Sequence, residues 1–310
     1  MDMHRRELVA VCQLYYVENK TQQQIAALMG LSRVKVSRLL QKAKDLEIVR
    51  IIINYTGTHI ELEHKISRKF GLKETIIADN SFGGDSKDLV ASAAAFYLNS
   101  NLAKGSTVAV GWGTTMCRIP DYLQNLSGQK LLFTPIIGGH GQNELDIHAT
   151  TIASNMAKKT GCQSLSLLAP ALVNTKEEKE VLFNDAQINQ VLSKVRTADY
   201  ALFSLGSPLT PDSSLSKSGY LSDKDFEQLI REKAICDIIS IAFLDKGYSG
   251  CCANITDRSI GITKEELKRI PLKICVAEGR EKHSAIEAAL YAGYIDVLII
   301  DQETGHYLIH

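Results

Sequence analysis

Apolar residues in the first 50 positions recur at the three- and four-residue spacing of amphipathic helices. Three short helices are predicted, with apolar faces made by Leu8, Val11, Cys12, Tyr15 and Tyr16, by Ile25, Ala26, Leu28 and Met29, and by Val36, Leu39 and Leu40. Thr21 and Ser32 are suited to cap the second and third helices, and Gly30 to form the left-handed turn between them. Two helices joined at such a corner predict a helix-turn-helix domain. A two-helix corner in a larger bundle is the alternative.

The segment after the third helix predicts the end of this domain. Residues 48–54 are mostly apolar and predict a short strand that would form the wing of a winged helix. The polar, turn-rich residues that follow predict a linker. We therefore expect a DNA-binding domain at 1–53, a linker at 54–59 and a larger domain at 60–310.

From residue 60 onward, short apolar runs alternate with helical patterns. The predicted strands are 74–79, 107–112, 130–137, 164–170, 200–205, 238–244, 273–278 and 296–300, and the predicted helices include 85–101, 144–160, 222–233 and 281–292. Several strands are apolar at successive positions, which is typical of strands buried on both faces. The pattern predicts an α/β domain with a doubly wound parallel sheet. In such a sheet, ligands bind beyond the carboxyl ends of the strands.

Composition mainly excludes other classes of protein. The 310 residues are 45% hydrophobic and 23% charged, as in ordinary globular proteins. No apolar run approaches the roughly 20 residues that span a bilayer, and the N-terminus lacks the apolar core of a signal peptide, so we expect a cytoplasmic protein with no membrane partner. The seven cysteines form no CxxC pair, and no histidines accompany them at metal-ligand spacing. We interpret them as buried thiols and expect neither a metal nor a cofactor.

Charge is informative once it is divided along the chain. The formal net charge is zero, but residues 1–53 contain nine Lys and Arg against five Asp and Glu. This local excess favours nucleic acid binding, and operator DNA is the expected partner. Arg33, Lys35 and Arg38 have the reach for guanine edges or phosphates. The residues predicted to contact DNA are Gln22, Gln23, Ser32, Arg33, Lys35, Ser37, Arg38 and Lys42.

Three glycine-containing loops follow predicted strands and are candidates for a ligand site. The first contains Gly111, Gly113, Thr114 and Thr115. Its glycines free the backbone, and its hydroxyls lie where a helix is predicted to start, which suits an anion such as phosphate. It has neither the GK[ST] of a Walker A motif nor a third glycine in the GxGxxG pattern. A glycine-rich turn without a ligand is the alternative.

The second and third loops carry polar and charged groups. The second contains Gly138, Gly139 and Gln142, and the amide of Gln142 is suited to bond sugar hydroxyls. The third contains Gly279, Arg280 and Lys282. Cations near a helix N-terminus are unfavourable to the helix dipole, so an anionic ligand would compensate for them. Exposed charges with no ligand are the alternative.

Segments spread over nearly the whole chain resemble the SorC family of bacterial transcriptional regulators. They are LYYVENKTQQQIAALMGLSRVKVSRLL, WGTTM, LLAPALV, LFSLGS, SGYLS, FLDKG and IPLKICVAEGREKHSAIEAALYAGYIDVLIID. The resemblance implies a helix-turn-helix domain joined to a sugar-phosphate-binding domain similar in fold to glucosamine-6-phosphate deaminase. It also implies a homo-oligomer, a dimer or tetramer, whose operator binding is altered by a phosphorylated sugar effector.

The resemblance further implies where each end of the effector would lie. The implied phosphate site is Gly113, Thr114 and Thr115 with Lys282 as charge partner, and the implied sugar site is near Gly138, Gly139, Gln142, Gly206 and Asp245. Glu278 departs from the Gly-Gly-x-x-Lys pattern expected before the lysine. A carboxylate there repels phosphate unless it bonds a hydroxyl or pairs with Arg280.

We predict a regulator of a carbohydrate-utilisation operon and not an enzyme. Closing of the loops on the effector would favour one arrangement of subunits and so change how paired recognition helices meet operator DNA. The alternative is a sugar-phosphate isomerase or deaminase with an N-terminal DNA-binding extension. Its acid and base would come from His140, Glu144, Asp146 or His148.

Overall fold

The computed structural model describes residues 3–49, 58–80, 83–139, 141, 145–210 and 213–310. The chain divides into two compact units, Met1–Ile53 and Asn54–His310. No helix in the described ranges is long and apolar enough to cross a bilayer.

The described part of the N-terminal unit is helical. Its α-helices are α1 (Met3–Cys12), α2 (Gln22–Met29) and α3 (Arg33–Asp45), and a π-helical turn at Gln13–Val17 extends α1. This confirms the predicted helix-turn-helix. Residues 46–49 form turns and bends, and the rest of the predicted wing strand, 50–54, lies outside the described residues.

The ends of α2 and α3 are held by the predicted caps. The Thr21 hydroxyl accepts a hydrogen bond from the backbone N–H of Gln24, whose side chain accepts from the Thr21 N–H. Gly30 ends α2 with a φ of 64°, and the Ser32 hydroxyl accepts from the Lys35 N–H. These short-range bonds satisfy backbone groups that the helix ends leave without partners, and they set the corner between the helices.

The core of this unit follows the predicted apolar faces with one exception. Val11, Ile25 and Val36 are fully buried where the three helices meet. Leu28 was predicted to face inward, but it is 63% exposed. Ile25 and Ala26 define the inward face of α2, and at 100° per residue Leu28 lies more than a quarter turn away from its centre.

The larger unit alternates helices and strands. Its α-helices are α4 (Ile60–Phe70), α5 (Ser86–Asn101), α6 (Ala149–Thr160), α7 (Lys176–Phe183), α8 (Ala186–Arg196), α9 (Ser214–Lys217), α10 (Asp223–Arg231), α11 (Ala253–Thr256), α12 (Lys264–Arg269), α13 (His283–Tyr291) and α14 (Gln302–Tyr307). Its strands are β1 (Glu74–Ala78), β2 (Thr107–Val110), β3 (Leu132–Pro135), β4 (Gln163–Ser164), β5 (Tyr200–Phe203), β6 (Ala234–Ile238), β7 (Ala242–Asp245), β8 (Gly250–Cys251), β9 (Leu272–Ala277) and β10 (Val297–Asp301). Short 3₁₀ helices lie at Met116–Tyr122, Ser127–Gln129, Leu145–Ile147 and Arg280–Lys282.

The strands form two sheets. Seven of them make a parallel sheet in the order β1-β10-β9-β5-β2-β3-β4, which confirms the predicted α/β fold. Neighbouring residues of β1 point into different cores, since Ile76 belongs to one apolar cluster and Ile77 to another. Both faces of the sheet are therefore covered, which explains the strands that are apolar at successive positions.

One predicted strand, 238–244, is in fact a hairpin outside the parallel sheet. β6 and β7 pair antiparallel, and β8 completes a three-stranded sheet. The chain reverses at Ile239 and Ser240, whose φ angles are 46° and 59°. Positive φ at both central residues is the geometry of a type I′ turn, which usually contains Asn or Gly. The turn was not predicted because the sequence around it is apolar and contains neither Asn nor Gly.

A second predicted strand is much shorter than expected. Within 164–170, only Ser164 belongs to a strand, the two-residue β4 at the edge of the sheet. Leu168 further along is 84% exposed, and Pro170 has no N–H to donate to a ladder. The apolar residues of this segment therefore do not form a buried strand.

Candidate functional site

A cavity of about 560 Å³ lies beyond the carboxyl ends of β2, β5 and β9, where a parallel sheet is expected to bind ligands. Asp237 and Ile239, at the end of β6 and in the turn after it, complete the wall. The remaining lining residues are Lys87, Trp112, Gly113, Thr114, Ile147, Ser204, Leu205, Gly206, Ser207, Pro208, Thr210, Ser213, Ser214, Leu215, Lys217, Glu278, Glu281 and Lys282. The wall thus combines three lysines, three carboxylates, several hydroxyls and one indole ring.

Glu278 is the buried centre of one side of this cavity. This residue directly follows β9 and is 3% exposed. The Thr115 hydroxyl donates to Glu278 Oε2 at 2.5 Å, and Lys282 Nζ lies 3.7 Å from Glu278 Oε1. The carboxylate therefore accepts a hydrogen bond from a hydroxyl and is paired with a lysine. Arg280, the partner considered from sequence, instead pairs with Glu303.

Asp237 is the second buried carboxyl of the cavity, and sequence reasoning missed it. It is 4% exposed, and its Oδ1 accepts a hydrogen bond of 2.7 Å from the Ser240 N–H. Burial raises the pKa of this carboxyl to about 7, and the bond from Ser240 opposes part of that rise. Asp237 is the one charged residue in the apolar segment AICDIISIAFL, and this isolated position could have indicated a buried carboxyl.

Gly206 joins Asp237 to the strand-end loops. The backbones of Gly206 and Asp237 exchange two hydrogen bonds, with N···O distances of 2.9 and 2.8 Å. A Cβ placed on Gly206 would meet no atom within 4 Å, so this glycine faces open space in the cavity wall. The pairing brings the second sheet against the end of β5.

The structure brings together only some of the residues predicted to bind the effector. Those in the cavity wall are Gly113, Thr114, Gly206, Glu278 and Lys282. Those outside it are Gly111, Thr115, Gly138, Gly139, Asp245, Gly279 and Arg280. Gln142, His140 and Glu144 lie outside the described residues.

Most of the predicted residues that do not line the cavity have structural partners. The Asp245 carboxylate accepts from the N–H groups of Gly247 and Ser249 and so caps the turn between β7 and β8. Gly279 has a φ of 96° and donates its N–H to Asp301. The Thr115 hydroxyl is directed to Glu278, as described above. The Arg280 side chain is 81% exposed.

Glycines 111, 138 and 139 permit close packing. A Cβ on Gly111 would lie 2.9 Å from Phe203 Cβ. A Cβ on Gly138 would lie 2.3 Å from the carbonyl oxygen of Pro170. Gly139 bonds through its N–H and carbonyl to the backbone at 169–171. The second glycine loop therefore packs against another segment of backbone.

Replacing Gly138 by alanine is expected to lower the free energy of unfolding by about 1–3 kcal/mol, since the added methyl group would overlap backbone atoms that cannot move independently. Gly128→Ala is the matched control, because a Cβ there meets no atom within 4 Å and the φ is not positive. Urea unfolding of both variants measures the difference. Equal stability of the two variants would contradict a packing role for Gly138.

The N-terminal unit presents the predicted DNA-binding side chains to solvent. All of them are exposed except Gln22, which is half-buried. Lys35 Nζ lies 3.0 Å from a carboxylate oxygen of Glu7, whereas Arg38 has no ion-pair partner among the described residues. Gln22, Gln23 and Arg33 also line a depression of the same unit, together with Tyr15, Tyr16, Asn19, Lys20 and Thr21. Among the residues that the structure describes, no acidic side chain contributes to that lining.

Known protein families match residues in both units. Residues 55–310 match the family described as "Putative sugar-binding domain", and residues 10–45 match the family described as "Sigma-70, region 4". The chain is 29% identical to the deoxyribonucleoside regulator of Bacillus subtilis (strain 168), over 100% of this chain and 99% of that protein. It is 30% identical to the transcriptional regulator LsrR of Enterobacter sp. (strain 638), over 96% of this chain and 91% of that protein.

The whole fold is also similar to a solved structure. The crystal structure of the full-length sorbitol operon regulator SorC from Klebsiella pneumoniae superimposes with a TM-score of 0.82 at 28% identity, covering 100% of both chains. The family match spans most of the chain, and the relatives match it from end to end. This chain therefore belongs to the SorC family of sugar-binding transcriptional regulators.

Proposed function

We propose that this sugar-responsive regulator binds a phosphorylated sugar in the cavity beyond β2, β5 and β9, and that occupancy changes its affinity for the operator of a carbohydrate-utilisation operon. The observation that carries the proposal is the composition of the cavity wall, with lysines and buried carboxylates on a lining rich in hydroxyls. Lysines bind phosphate, and carboxylates and hydroxyls bind sugar hydroxyls. The dimensions suit a small ligand, since binding pockets usually enclose about 300–1,000 Å³.

Lys282 is the proposed phosphate ligand. Lys282 lines the cavity and its side chain is only 15% exposed, so its charge is partly shielded from water. Gly113 and Thr114 line the same cavity. Lys87 and Lys217 add positive charge elsewhere on the wall. Glu278 is compatible with a phosphate here because its charge is paired with Lys282 and its Oε2 accepts a hydrogen bond from the Thr115 hydroxyl.

Asp237 is the proposed sugar ligand in place of Asp245. Its buried carboxyl keeps one oxygen, Oδ2, outside the turn bond made by Oδ1. Ser204 and Ser207 lie in the same wall, although the Ser207 hydroxyl donates to the carbonyl of Glu281. Carboxyl and hydroxyl groups spaced along one wall are suited to a polyhydroxylated ligand.

In the N-terminal unit, α3 is the proposed recognition helix. Its N-terminal half carries Arg33, Lys35 and Arg38 on the exposed face. A recognition helix places such residues against base edges and phosphates of the major groove. A homo-oligomer, a dimer or tetramer, would present such helices in pairs, so each dimer would require two half-sites.

Replacing Arg38 by alanine is expected to weaken operator binding about tenfold, because one long cationic donor is lost from the exposed face of α3. Lys44→Ala is the control, since it removes the same charge from the exposed last turn of the same helix. Fluorescence anisotropy with labelled operator DNA measures both. Sugar affinity should be unchanged in both variants, and a larger effect of Lys44→Ala would contradict the proposed orientation of α3.

An enzyme of the sugar-phosphate isomerase or deaminase class is the second candidate. Relatives of this chain are named transcriptional regulators, which favours a regulator. Of the acid and base candidates predicted from sequence, the two that the structure describes, Asp146 and His148, do not line the cavity. Conversion of the bound sugar phosphate by catalytic amounts of protein, followed by NMR, would support the enzyme.

A thermal-shift screen with matched pairs of sugar phosphates and free sugars tests the proposed ligand class. A ligand at 100 times its dissociation constant adds about 2.7 kcal/mol to the free energy of unfolding, which raises the melting temperature visibly. A rise with a phosphorylated sugar and not with its free form is expected. The same compound should then change the affinity for operator DNA. A response to free sugars alone would contradict the phosphate site.

A further inference from the structure

Three potential metal ligands meet at the edge of the three-stranded sheet, away from the sugar cavity. They are the carboxylate of Glu232, directly after α10, and the thiols of Cys251 and Cys252, at the end of β8 and directly after it. One ligand atom from each lies within 4.8 Å of the others. None of the three residues lines the cavity assigned to the sugar.

The backbone at Cys252 is what brings the two thiols together. Successive side chains of an extended strand point to opposite faces, so adjacent cysteines normally diverge. Cys252 has a φ of 55° and a ψ of 44°, a left-handed conformation that is uncommon for residues other than Gly, Asn and Asp. The alternation is interrupted there, and the two Sγ atoms lie 3.7 Å apart. Such strained backbone is concentrated at functional sites.

The separation of the sulfur atoms suits a tetrahedral metal ion. Two thiolates bound to zinc at about 2.3 Å in tetrahedral geometry are about 3.8 Å apart. The observed Sγ–Sγ distance of 3.7 Å is close to this value. An ion could therefore bind both sulfur atoms with little movement of the backbone.

The carboxylate is already held in place. Glu232 Oε2 accepts a hydrogen bond of 2.6 Å from the Cys252 N–H, and Oε1 accepts one of 2.7 Å from Gln228 Nε2. Each carboxylate oxygen has a second lone pair that these bonds do not use. Ligating carboxylates are commonly oriented by such outer hydrogen bonds.

We propose that Glu232, Cys251 and Cys252 bind one thiophilic divalent cation of the zinc class, with a fourth position open to water. Binding replaces the two thiol protons, which pass to solvent, and transfers no electrons. Cys252 is buried, but Glu232 and Cys251 are partly exposed, so an ion can enter from the surface. The three anionic ligands leave one negative charge, which Arg231, with Nη2 3.9 Å from Glu232 Oε1, partly offsets.

Titration of the full-length, tag-free protein tests this site. The protein is reduced, stripped with EDTA and titrated with Cd²⁺, whose bonds to thiolates absorb in the ultraviolet. We expect an absorbance that saturates at one ion per chain, and Zn²⁺ should displace the Cd²⁺. Cys251→Ser and Cys252→Ser should each reduce this absorbance, and Glu232→Gln should lower the affinity about tenfold or more.

Two matched variants serve as controls. Cys162→Ser removes a half-buried thiol distant in sequence, and Glu227→Gln removes an exposed carboxylate from α10. Neither should change the titration. One equivalent of ion retained by the Cys251→Ser/Cys252→Ser double variant would overturn the site.

A measurement on the unaltered protein keeps the test valid if the cysteine variants fail to fold. X-ray absorption at the zinc edge should show two sulfur neighbours together with oxygen neighbours. A shell of nitrogen and oxygen alone would overturn the proposal, as would the absence of any ion bound at one equivalent.

Discussion

Replacing Lys282 by alanine is expected to weaken binding of the phosphorylated sugar about 100-fold, the loss for one charge-assisted contact in a partly buried site. Lys282 lines the cavity, and its Nζ lies 3.7 Å from Glu278 Oε1. The variant removes the cation proposed to bind the phosphate. It also leaves the negative charge of Glu278 unpaired, and that charge would repel the phosphate. Isothermal titration calorimetry with the compound identified in the thermal-shift screen measures the loss.

Arg280→Ala is a close control for this variant. Arg280 lies two residues away and carries the same charge, but it is 81% exposed and pairs with Glu303. It should change the sugar affinity less than about twofold, as expected of an exposed ion pair. A loss in Arg280→Ala as large as that in Lys282→Ala would place the phosphate elsewhere.

The Lys282→Ala variant needs a second form, because it leaves the buried Glu278 without its cation. The double variant Glu278→Gln/Lys282→Ala removes both charges together. We expect it to melt close to the unaltered protein and to regain only the part of the sugar-phosphate affinity that repulsion from Glu278 removes, so it should still bind more weakly than the unaltered protein. Full restoration of the affinity in the double variant would show that charge compensation, and not phosphate contact, is the role of Lys282.

Replacing Asp237 by asparagine is expected to stabilise the protein at pH 8 by up to about 4 kcal/mol. The pKa of this carboxyl is about 7 in the folded protein, against an ordinary value of 3.8. Between these values the folded state binds more protons than the unfolded state, so the free energy of unfolding falls as pH rises from about 4 to about 7. Asparagine has no such titration, and its carbonyl oxygen can still accept from the Ser240 N–H.

Urea unfolding at pH 5, 6.5 and 8 measures this effect. The advantage of Asp237→Asn should grow with pH, because only the unaltered protein carries this titrating carboxyl. The same variant should bind the sugar phosphate about tenfold more weakly, because it loses an ionisable acceptor in the cavity wall. A constant stability difference across pH would mean that Asp237 is not the titrating group.

Sequence patterns predicted the features that depend on residues close together in the chain. The caps at Thr21, Gly30 and Ser32 involve partners within four or five positions, and the structure has each of them. The long apolar runs predicted strands with two covered faces, which the parallel sheet confirms.

The cavity wall was predicted only in part, because its members come from distant segments. Gly113, Gly206 and Lys282 were expected and line it, whereas Asp237 was missed and Asp245 serves a turn. The apolar residues at 238–244 indicated one strand, although the chain reverses at Ile239 and Ser240, where both φ angles are positive. No local rule places Ile and Ser in a left-handed turn.

The sequence by itself determined the two-domain order, the helix-turn-helix, the alternation of strands and helices, and the family. The first three follow from periodicity and capping, which act over a few residues, whereas the family follows from the resemblance of segments spread along the chain. Only the tertiary structure decided that Thr115 bonds Glu278, 163 positions away, that Asp237 faces the cavity, and that Glu232 meets Cys251 and Cys252. Those contacts depend on how the sheets pack, and packing joins side chains whose spacing in the chain carries no signal.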